Sequence, residues 1–313
     1  MPENQPTHSM LSLVGNTPLV ELPKLAPKSG IRIFAKLEGG NPSGSVKDRI
    51  VLAMVEAAEA QGVLKPGDTI VEASTGNTAI ALAFVAKQKG YKVRVVLPKG
   101  VVPSMADVLH LYGAEFEWCE PSGGMRGAIE AAKALAAEEG VHELGQFTRS
   151  ENVDTHYRTT GAEIAAAIDS VDAFVAGIGT GGTIMGVGKR LREEFPGVKV
   201  IGVEPRLGDR LQGLRSLAEG YIPPLLDLDT LDGRFLVDSA SAIEAARSVV
   251  QSEGFLAGVS SGATLTGALR VAERMDHGNI VVMFSDGGWK YLPAQPWDAA
   301  AEHEERLDEV HWW

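Results

Sequence analysis

The sequence has 313 residues, 44% of them hydrophobic and 22% charged, and its formal net charge at pH 7 is −12. This length suffices for two packed domains, and the acidic balance, without any basic stretch, argues against a nucleic-acid or anionic-membrane partner. The chain has no run of about 18 uncharged apolar residues that could span a bilayer, and MPENQPTHSM at its start lacks the layout of a signal peptide. We therefore expect a cytoplasmic protein that acts on a small molecule.

Strand and helix patterns alternate along most of the chain. The strands are predicted at 69–73, 92–98, 115–120, 172–177, 199–204 and 279–284, and the helices at 77–89, 104–112, 124–138, 155–169, 182–194, within 240–253 and at 263–275. The strand segments are apolar throughout, which is typical of parallel sheets covered by helices on both faces. This pattern predicts an α/β protein with two sheet domains joined by the stretch at 155–169. One domain lies near 45–150, and the other is built from 1–44 and 151–313.

The sequence contains one cysteine and seven histidines. A single cysteine excludes an internal disulfide, and the histidines form no set with metal-ligand spacing, so we expect no metal site. Cys119 lies in AEFEWCE, which alternates as a strand does. A packing role is the better interpretation for this thiol than a nucleophilic one, because buried thiols are mostly inert.

A lysine stands at the predicted start of a helix in NPSGSVKDR, residues 41–49. Ser45 as N-cap and Asp48 three residues later predict a capping box, with the helix beginning near Val46. A cation here faces the positive end of the helix dipole, against the usual preference for an acidic residue in the first turn. Lys47 is therefore either an ordinary solvated lysine or one whose amine reacts with an aldehyde cofactor.

The strand at 172–177 is followed by a glycine-rich loop, GIGTGGT (177–183), and then by a helix. Such a loop directs several backbone N–H groups toward one point at a helix N-terminus, which suits a phosphate. The loop also satisfies G-x-G-x-x-G, and Glu204 stands where a dinucleotide fold places its ribose ligand. Three interpretations remain open: a nicotinamide dehydrogenase, a site for one phosphate dianion bound by Thr180 and Thr183, and a purely structural turn.

Two further turns of small polar residues adjoin predicted helices. STGNT (74–78) follows the strand at 69–73, and GVSSGA (258–263) leads into the helix at 263–275. The amides and hydroxyls of STGNT could hold a carboxylate and its asparagine could donate to a bound ring, although each turn alone is an ordinary connection. Loops that follow strand carboxyl ends meet at one crevice of an open α/β sheet, so we expect these turns, the glycine loop and Lys47 to converge.

In combination, these motifs resemble those of one enzyme family. NPSGSVKDR, STGNT, GTGGT and GVSSGA, in this order and with GNTPLV at 15–20, are similar to the motifs of the fold type II pyridoxal-phosphate enzymes, specifically the cysteine synthases (O-acetylserine sulfhydrylases). The resemblance runs from about Leu11 to Leu292. It is greatest for the B type, because of EPRLGDRLQGLRSLAEGYIPP (204–224) and GWKYL (288–292). It implies a tryptophan synthase β-like fold, an active site in the cleft between the two domains and a homodimer.

The resemblance also implies roles for individual residues. Lys47 would be the Schiff-base lysine and the catalytic base, Asn77 would bind the 3′-oxygen of pyridoxal phosphate, and Ser260 would meet its pyridine nitrogen. The cofactor phosphate would be bound by Gly179, Thr180, Gly181, Gly182 and Thr183, and the substrate α-carboxylate by Ser74, Thr75, Gly76, Asn77 and Thr78. Ala79 departs from the family, which usually has Gly there, and its Cβ could narrow the carboxylate site.

The implied activity is that of a transferase: a β-replacement that converts O-acetylserine or O-phosphoserine to L-cysteine through an aminoacrylate. The sulfur donor would be sulfide, thiosulfate or the thiocarboxylate of a sulfur-carrier protein. The alternatives within fold type II are a cystathionine synthase, a serine/threonine dehydratase and a diaminopropionate-forming enzyme.

Two features bear on the choice of substrate and on closure of the site. Arg215 is either a surface arginine or a ligand for the phosphate of O-phosphoserine, since a planar guanidinium can bind two oxygens of a dianion. The C-terminal segment AAAEHEERLDEVHWW is either a solvated helix end or a lid, in which the two final tryptophans would cover the cleft.

Overall fold

The computed structural model describes residues 9–74, 76–98, 103–119, 124–209 and 211–294. The strands are β1 (Leu19–Glu21), β2 (Ile31–Leu37), β3 (Thr69–Ala73), β4 (Lys92–Pro98), β5 (Glu115–Cys119), β6 (Val141–Glu143), β7 (Ala173–Gly177), β8 (Lys199–Pro205), β9 (Gly233–Val237) and β10 (Gly278–Phe284). The helices are α1 (Lys47–Ala60), α2 (Asn77–Lys89), α3 (Pro103–Tyr112), α4 (Gly124–Leu135), α5 (Glu151–His156), α6 (Ala162–Ala167), α7 (Gly182–Glu194), α8 (Ser239–Glu253) and α9 (Val259–Glu273).

These strands form two mainly parallel sheets. The six-stranded sheet has the order β1-β2-β10-β7-β8-β9, and β1 is its antiparallel edge strand. The four-stranded sheet has the order β5-β4-β3-β6 and is parallel throughout. The predicted α/β class with mainly parallel sheets is confirmed.

Both faces of the larger sheet are covered, which explains its continuous apolar strands. Along β10, Ile280, Val282 and Phe284 pack into one core cluster with α8 and α9, whereas Val281 and Met283 pack into a second cluster with α7. Successive side chains of a strand point to opposite faces, so a strand buried on both sides needs apolar residues at every position. The helices therefore cover the sheet faces and leave the strand ends free to build a site.

Four strands were not predicted from the sequence: β1, β2, β6 and β9. β1 and β6 have three residues each, too short for a periodic signal, and β9 is half exposed in alternation. β2, with the sequence IRIFAKL, carries a lysine that is 1% exposed because its ammonium pairs with Glu163 on α6. A lysine within a strand interrupts the apolar pattern that predicts a buried strand. Its burial is energetically acceptable because of the ion pair, which only the tertiary structure shows.

The helical stretch predicted at 155–169 is interrupted in the middle. α5 and α6 are joined by a π-helical turn at Tyr157–Gly161. A Cβ on Gly161 would lie 2.8 Å from Cβ of Arg190 on α7, so glycine permits the close approach of these helices. Single π turns often occur at functional sites, and this one directly follows His156.

No helix in the described ranges is long and apolar enough to cross a membrane. The same ranges contain no group of three or more His, Cys, Asp or Glu side chains placed to hold a metal ion.

Candidate active site

Loops from both sheets line one cavity. Of the predicted site residues, the lining includes Lys47, Ser74, Gly76, Asn77, Thr78, Gly179, Thr180, Gly181, Thr183, Arg215 and Ser260. Gly182 is not part of the lining, and Thr75 lies outside the described residues. Motifs from distant parts of the chain meet here because parallel strands direct their carboxyl-end loops to the same side of a sheet.

Lys47 is the first residue of α1 and lines this cavity. Burial lowers the pKa of its amine to about 8; Asp286 and Glu38 oppose this shift and the ammonium of Lys290 adds to it. An amine with this pKa is partly neutral near neutral pH, as a nucleophile or general base must be. The environment of Lys47 thus differs from that of a solvated lysine.

Backbone contacts join the residues before Lys47 to the larger sheet. The Val46 N–H donates to the carbonyl oxygen of Ser285 at 2.9 Å, and Ser45 pairs with Asp286 in an antiparallel bridge. Ser285 and Asp286 directly follow β10. The position of the Lys47 amine is therefore set by the larger sheet as well as by its own helix.

The predicted capping box at the start of α1 is wrong. The Ser45 hydroxyl accepts from the Lys47 N–H at 3.3 Å, but the Asp48 carboxylate does not return to Ser45. It accepts hydrogen bonds from the backbone N–H, at 2.7 Å, and from the hydroxyl of Ser43. Burial raises the pKa of Asp48 to about 6, and the Ser43 donors limit that rise. The Asp48 carboxylate therefore supports the loop before the helix instead of closing a capping box with Ser45.

The backbone of the glycine loop packs directly against the backbone of a neighbouring segment at Gly213. A Cβ on Gly179 would lie 2.7 Å from the carbonyl oxygen of Gly213, and Gly181 has φ +87°, which favours glycine. A Cβ on Gly182 would overlap the side chain of Asn152. α7 begins at Gly182, and the N–H groups of a first helical turn have no acceptor within the helix. This loop is therefore a compact concavity at a helix N-terminus that suits an anion.

Neutral partners orient the two threonine hydroxyls of this loop. The Asn152 amide donates to Oγ1 of Thr180 at 3.0 Å, and Oγ1 of Thr183 lies 3.1 Å from Nε2 of His156. Burial, with the nearby charges of Lys47 and Arg49, holds the pKa of His156 well below its usual range. The histidine is therefore neutral and adds no charge beside the loop.

The turn at 74–78 is supported by a buried polar chain that the sequence did not reveal. The Thr78 hydroxyl donates to Oε1 of Gln146 at 2.7 Å, and Nε2 of Gln146 donates to Oε1 of Glu72 at 3.1 Å. Gln146 follows the short strand β6 and also lines the cavity. Ala79 packs in the core beside the smaller sheet and is not part of the cavity lining, so the expected narrowing of the site by its Cβ is not found.

Ser260 lies inside a helix rather than in the turn that precedes it. α9 begins at Val259, four residues before the predicted start at 263, because GVSSGA already adopts helical geometry after the N-cap Gly258. Ser260 is 4% exposed and stands in the first turn of α9, where it lines the cavity. Ser260 is therefore held by the helix within reach of a group bound in the cavity.

Arg215 lines the cavity, and its guanidinium lies beside two aromatic rings that contact each other edge to face. Its guanidinium carbon is 5.2 Å from the ring centroid of Phe147 and 5.2 Å from that of Tyr221. Burial lowers the pKa of the guanidinium, which nonetheless stays charged at neutral pH. The lining of the described cavity holds the cations Lys47 and Arg215 but no aspartate or glutamate, so its charge favours an anionic ligand.

Comparison with known proteins identifies the family. Residues 10–286 match the family described as "Pyridoxal-phosphate dependent enzyme". The chain belongs to this family. The cysteine synthase of Staphylococcus aureus is 40% identical over 92% of this chain and 96% of its own length, and the cysteine synthase B of Pseudomonas aeruginosa is 37% identical over 91% and 96%. The crystal structure of O-ureido-L-serine synthase aligns with a TM-score of 0.89 and 35% identity, covering 97% of this chain and 99% of that one.

The residues present fit pyridoxal phosphate, the cofactor of the family. Gly179, Gly181 and Gly182 let the loop pack closely against Gly213, Leu226 and Asn152, and its threonine hydroxyls and helix N-terminus match a phosphate dianion. Lys47 is a partly neutral amine in the same cavity. As a member of this family, the protein is a pyridoxal-phosphate-dependent enzyme.

The dehydrogenase interpretation is not favoured. Glu204, its expected ribose ligand, is 1% exposed and already engaged: it accepts from the Leu217 N–H at 2.6 Å and from Arg234 at 2.8 Å. It does not line the cavity. The glycine pattern therefore matched a dinucleotide motif in spacing only.

Several residues that build the site were missed by the sequence analysis. They are Gln146, Phe147, His156, Gln212, Tyr221, Asp286 and Lys290. One available signal was overlooked: SDGG at 285–288 directly follows β10, the same succession of apolar strand and small polar turn that marked the other loops. The predicted lid, which includes Trp312 and Trp313, lies outside the described residues and stays a prediction.

Proposed function

We propose that this enzyme is a cysteine synthase that replaces the β-substituent of an activated L-serine with sulfur. The observation that carries this proposal is the single cavity that joins Lys47, the turn at 74–78, the glycine loop and Ser260, in a chain 40% identical to a cysteine synthase over most of its length. The proposed arrangement is a smaller domain at 45–150 and a larger one at 1–44 and 151–313, with the active site between them. The four-stranded sheet, built within 69–143, supports this division.

The proposed cofactor site uses three elements. Gly179, Thr180, Gly181, Gly182 and Thr183 bind the phosphate, Asn77 faces the ring oxygen, and Ser260 faces the pyridine nitrogen. When bound, pyridoxal phosphate supplies an electron sink for negative charge at the substrate α-carbon. A hydroxyl at Ser260 stabilises a protonated pyridine less than a carboxylate would, which suits prompt loss of a β-leaving group.

Lys47 is proposed as the general base for the α-proton. Its pKa of about 8 leaves a neutral fraction able to accept that proton, and its ammonium form can later return one. The turn at Ser74–Thr78 is proposed to bind the substrate α-carboxylate; the Thr78–Gln146–Glu72 chain supports this turn from behind. These steps require a lysine that reaches both the cofactor and the α-carbon, and Lys47 is the lysine that lines the described cavity.

The proposed amino-acid substrate is O-phosphoserine, used at least as well as O-acetylserine. Arg215 shares the cavity with Lys47, and no ion pair to a carboxylate engages it among the described residues. The rings of Phe147 and Tyr221 hold its guanidinium in place, so little entropy is lost when it binds a phosphate dianion. A neutral acetyl ester offers no comparable contact.

The sulfur donor and the assembly extend the proposal. Sulfide, thiosulfate and a sulfur-carrier thiocarboxylate are the candidate donors, and a cytoplasmic homodimer is the proposed form. The O-ureido-L-serine synthase neighbour shows that a chain of this fold can make a different β-substituted alanine. A nucleophile other than sulfur is therefore the alternative to exclude.

The deciding experiment supplies the purified enzyme with O-phosphoserine or O-acetylserine and varies the nucleophile. We expect L-cysteine with sulfide, no keto acid in its absence, and no cystathionine, diaminopropionate or O-ureidoserine at comparable rates. Lys47→Ala should lose both turnover and the visible absorption of bound cofactor, whereas Lys24→Ala, at an exposed lysine, should retain both. Full activity of Lys47→Ala, or faster turnover with a nucleophile other than a sulfur compound, would contradict the proposal.

A further inference from the structure

The side-chain amide of Asn77 is hydrogen-bonded to both members of a buried ion pair, Asp286 and Lys290. Nδ2 of Asn77 donates to Oδ2 of Asp286 at 2.7 Å, and Nζ of Lys290 donates to Oδ1 of Asn77. Nζ of Lys290 also lies 3.2 Å from Oδ2 of Asp286. The side chain of Lys290 is 4% exposed and that of Asp286 is fully buried, so water does not compete for these contacts.

This arrangement allows one orientation of the amide. A primary amide has two N–H donors and one oxygen acceptor. With Oδ1 facing the ammonium and one N–H facing the carboxylate, both contacts are favourable; a flipped amide would set N–H groups against the ammonium and oxygen against the carboxylate. Such charged partners make hydrogen bonds stronger than those between neutral groups. The amide is therefore held by charge and not only by packing.

One N–H of Asn77 remains after these two contacts. Asn77 lines the cavity together with Lys47, whereas Asp286 and Lys290 are not among the lining residues. The ion pair thus stands behind the amide, and the amide stands between it and the cavity. The same pair places opposite charges near Lys47, where Asp286 raises and Lys290 lowers the pKa of the amine, so it contributes orientation with little net charge.

The attachment of the pair is rigid. The Gly258 N–H donates to the carbonyl oxygen of Asp286 at 3.1 Å, and the Tyr291 hydroxyl donates to its Oδ2 at 2.7 Å. Asp286 also pairs with Ser45, two residues before Lys47. The carboxylate is thereby fixed relative to the starts of α1, α2 and α9, the three helices that carry Lys47, Asn77 and Ser260.

We infer that Asp286 and Lys290 are positioning residues that orient the Asn77 amide so that its free N–H points at the ring oxygen of pyridoxal phosphate. This inference rests on the role proposed for Asn77. Lys290 acts through Asn77 and not through contact with substrate or cofactor. Its contribution should therefore disappear when the Asn77 side chain is absent.

A double-mutant cycle tests this dependence. Asn77→Ala, Lys290→Met and the double variant are purified as holoenzymes, and the dissociation constant of their cofactor is measured by equilibrium dialysis, with the absorption spectrum of the bound cofactor as a second readout. We expect Asn77→Ala to weaken binding by roughly ten- to a hundredfold, the scale of one hydrogen bond to a charged oxygen. Lys290→Met should weaken it by about threefold or more, and the double variant should match Asn77→Ala.

Lys36→Met is the matched control. Lys36 is another buried lysine, 1% exposed, whose ammonium pairs with the carboxylate of Glu163 at 2.6 Å. Any loss of cofactor affinity caused by Lys36→Met should multiply with the loss caused by Asn77→Ala in the corresponding double variant, because Lys36 has no contact with the amide. If Lys290→Met folds poorly because Asp286 is left as a lone buried charge, the Asp286→Asn/Lys290→Met pair replaces it in the cycle.

Each outcome is distinct. If the losses of cofactor affinity caused by Lys290→Met and Asn77→Ala multiply in the double variant, as in the control, the inference is overturned. The ion pair then has a structural role only. Unchanged binding in Asn77→Ala would overturn it as well. Failure of the unaltered enzyme to form cysteine while the cycle behaves as expected would contradict the proposed function and not the positioning role.

Discussion

Glu72 accepts a hydrogen bond from Gln146 at 3.1 Å, although the carboxyl group is 2% exposed and has no cationic partner among the described residues. Burial raises its pKa from 4.5 to about 7, with a smaller rise from Glu143, and the donors Gln146 and Gly145 limit the shift. A titratable group thus lies behind the turn proposed to bind the substrate carboxylate.

This pKa predicts a pH dependence of stability. Between the unfolded value of 4.5 and about pH 7, the folded protein holds a proton on Glu72 that the unfolded chain releases, so the contribution of Glu72 to the free energy of unfolding falls as pH rises. Glu72→Gln removes this dependence. In urea unfolding, the variant should gain relative to the parent between pH 5 and pH 8, by at most about 3 kcal/mol. A difference that stays constant over this range contradicts the assignment.

Arg215 should discriminate between the two activated serines. Arg215→Ala is expected to lower kcat/KM for O-phosphoserine by about ten- to a hundredfold and to change that for O-acetylserine far less, because only the phosphate gains a charge-assisted contact. Arg215→Lys should recover part of the loss, since an ammonium keeps the charge without the planar fork. Steady-state kinetics with both amino-acid substrates provides the measurement, and Arg32→Ala, at an exposed arginine outside the cavity lining, is the control. Equal losses of kcat/KM for O-phosphoserine and O-acetylserine would show that Arg215 does not bind the phosphate.

Gly179→Ala should disturb the glycine loop. The new Cβ would lie 2.7 Å from the Gly213 carbonyl oxygen, a backbone atom that cannot rotate away. We expect a loss of about 1–3 kcal/mol in stability, typical of overpacking, together with reduced cofactor content. Gly127→Ala is the matched control, because a Cβ there meets nothing within 4 Å. Thermal unfolding and cofactor content of the purified variants would decide; a normal Gly179→Ala enzyme would show that the loop has room.

Ser260→Asp should change the proton affinity of the bound cofactor ring. A carboxylate facing the pyridine nitrogen favours its protonated form, so the variant should show an altered absorption spectrum and slower release of the β-leaving group. Rapid-mixing spectroscopy with O-acetylserine measures both. Spectra and rates identical to those of the parent would mean that Ser260 does not face the ring.

Deletion of residues 303–313 tests the predicted lid. If this segment covers the cleft, its removal should raise the rate at which water consumes the activated substrate in the absence of a sulfur donor, measured as keto-acid formation. Unchanged keto-acid formation would leave the segment as a solvated terminus.

The sequence by itself determined the class of fold and the motifs. The strands at 69–73 and 92–98 and the helices at 77–89 and 182–194 begin and end where predicted, because apolar runs and helical periodicity are local consequences of burial on one or both faces. Lys47 and the three small polar turns were also evident, since runs of glycine, serine and threonine next to predicted helices mark turns, and their combination pointed to one site.

Only the tertiary structure decided which side chains meet these motifs. Gln146 follows a three-residue strand, and Arg215 is positioned by two aromatic rings. Asp286, which the sequence did not mark as a site residue, accepts a hydrogen bond from Asn77. Long-range contacts of this kind leave no period in the sequence. They arise because parallel strands collect their carboxyl-end loops at one place, and buried polar groups must then find partners among whatever the other loops supply.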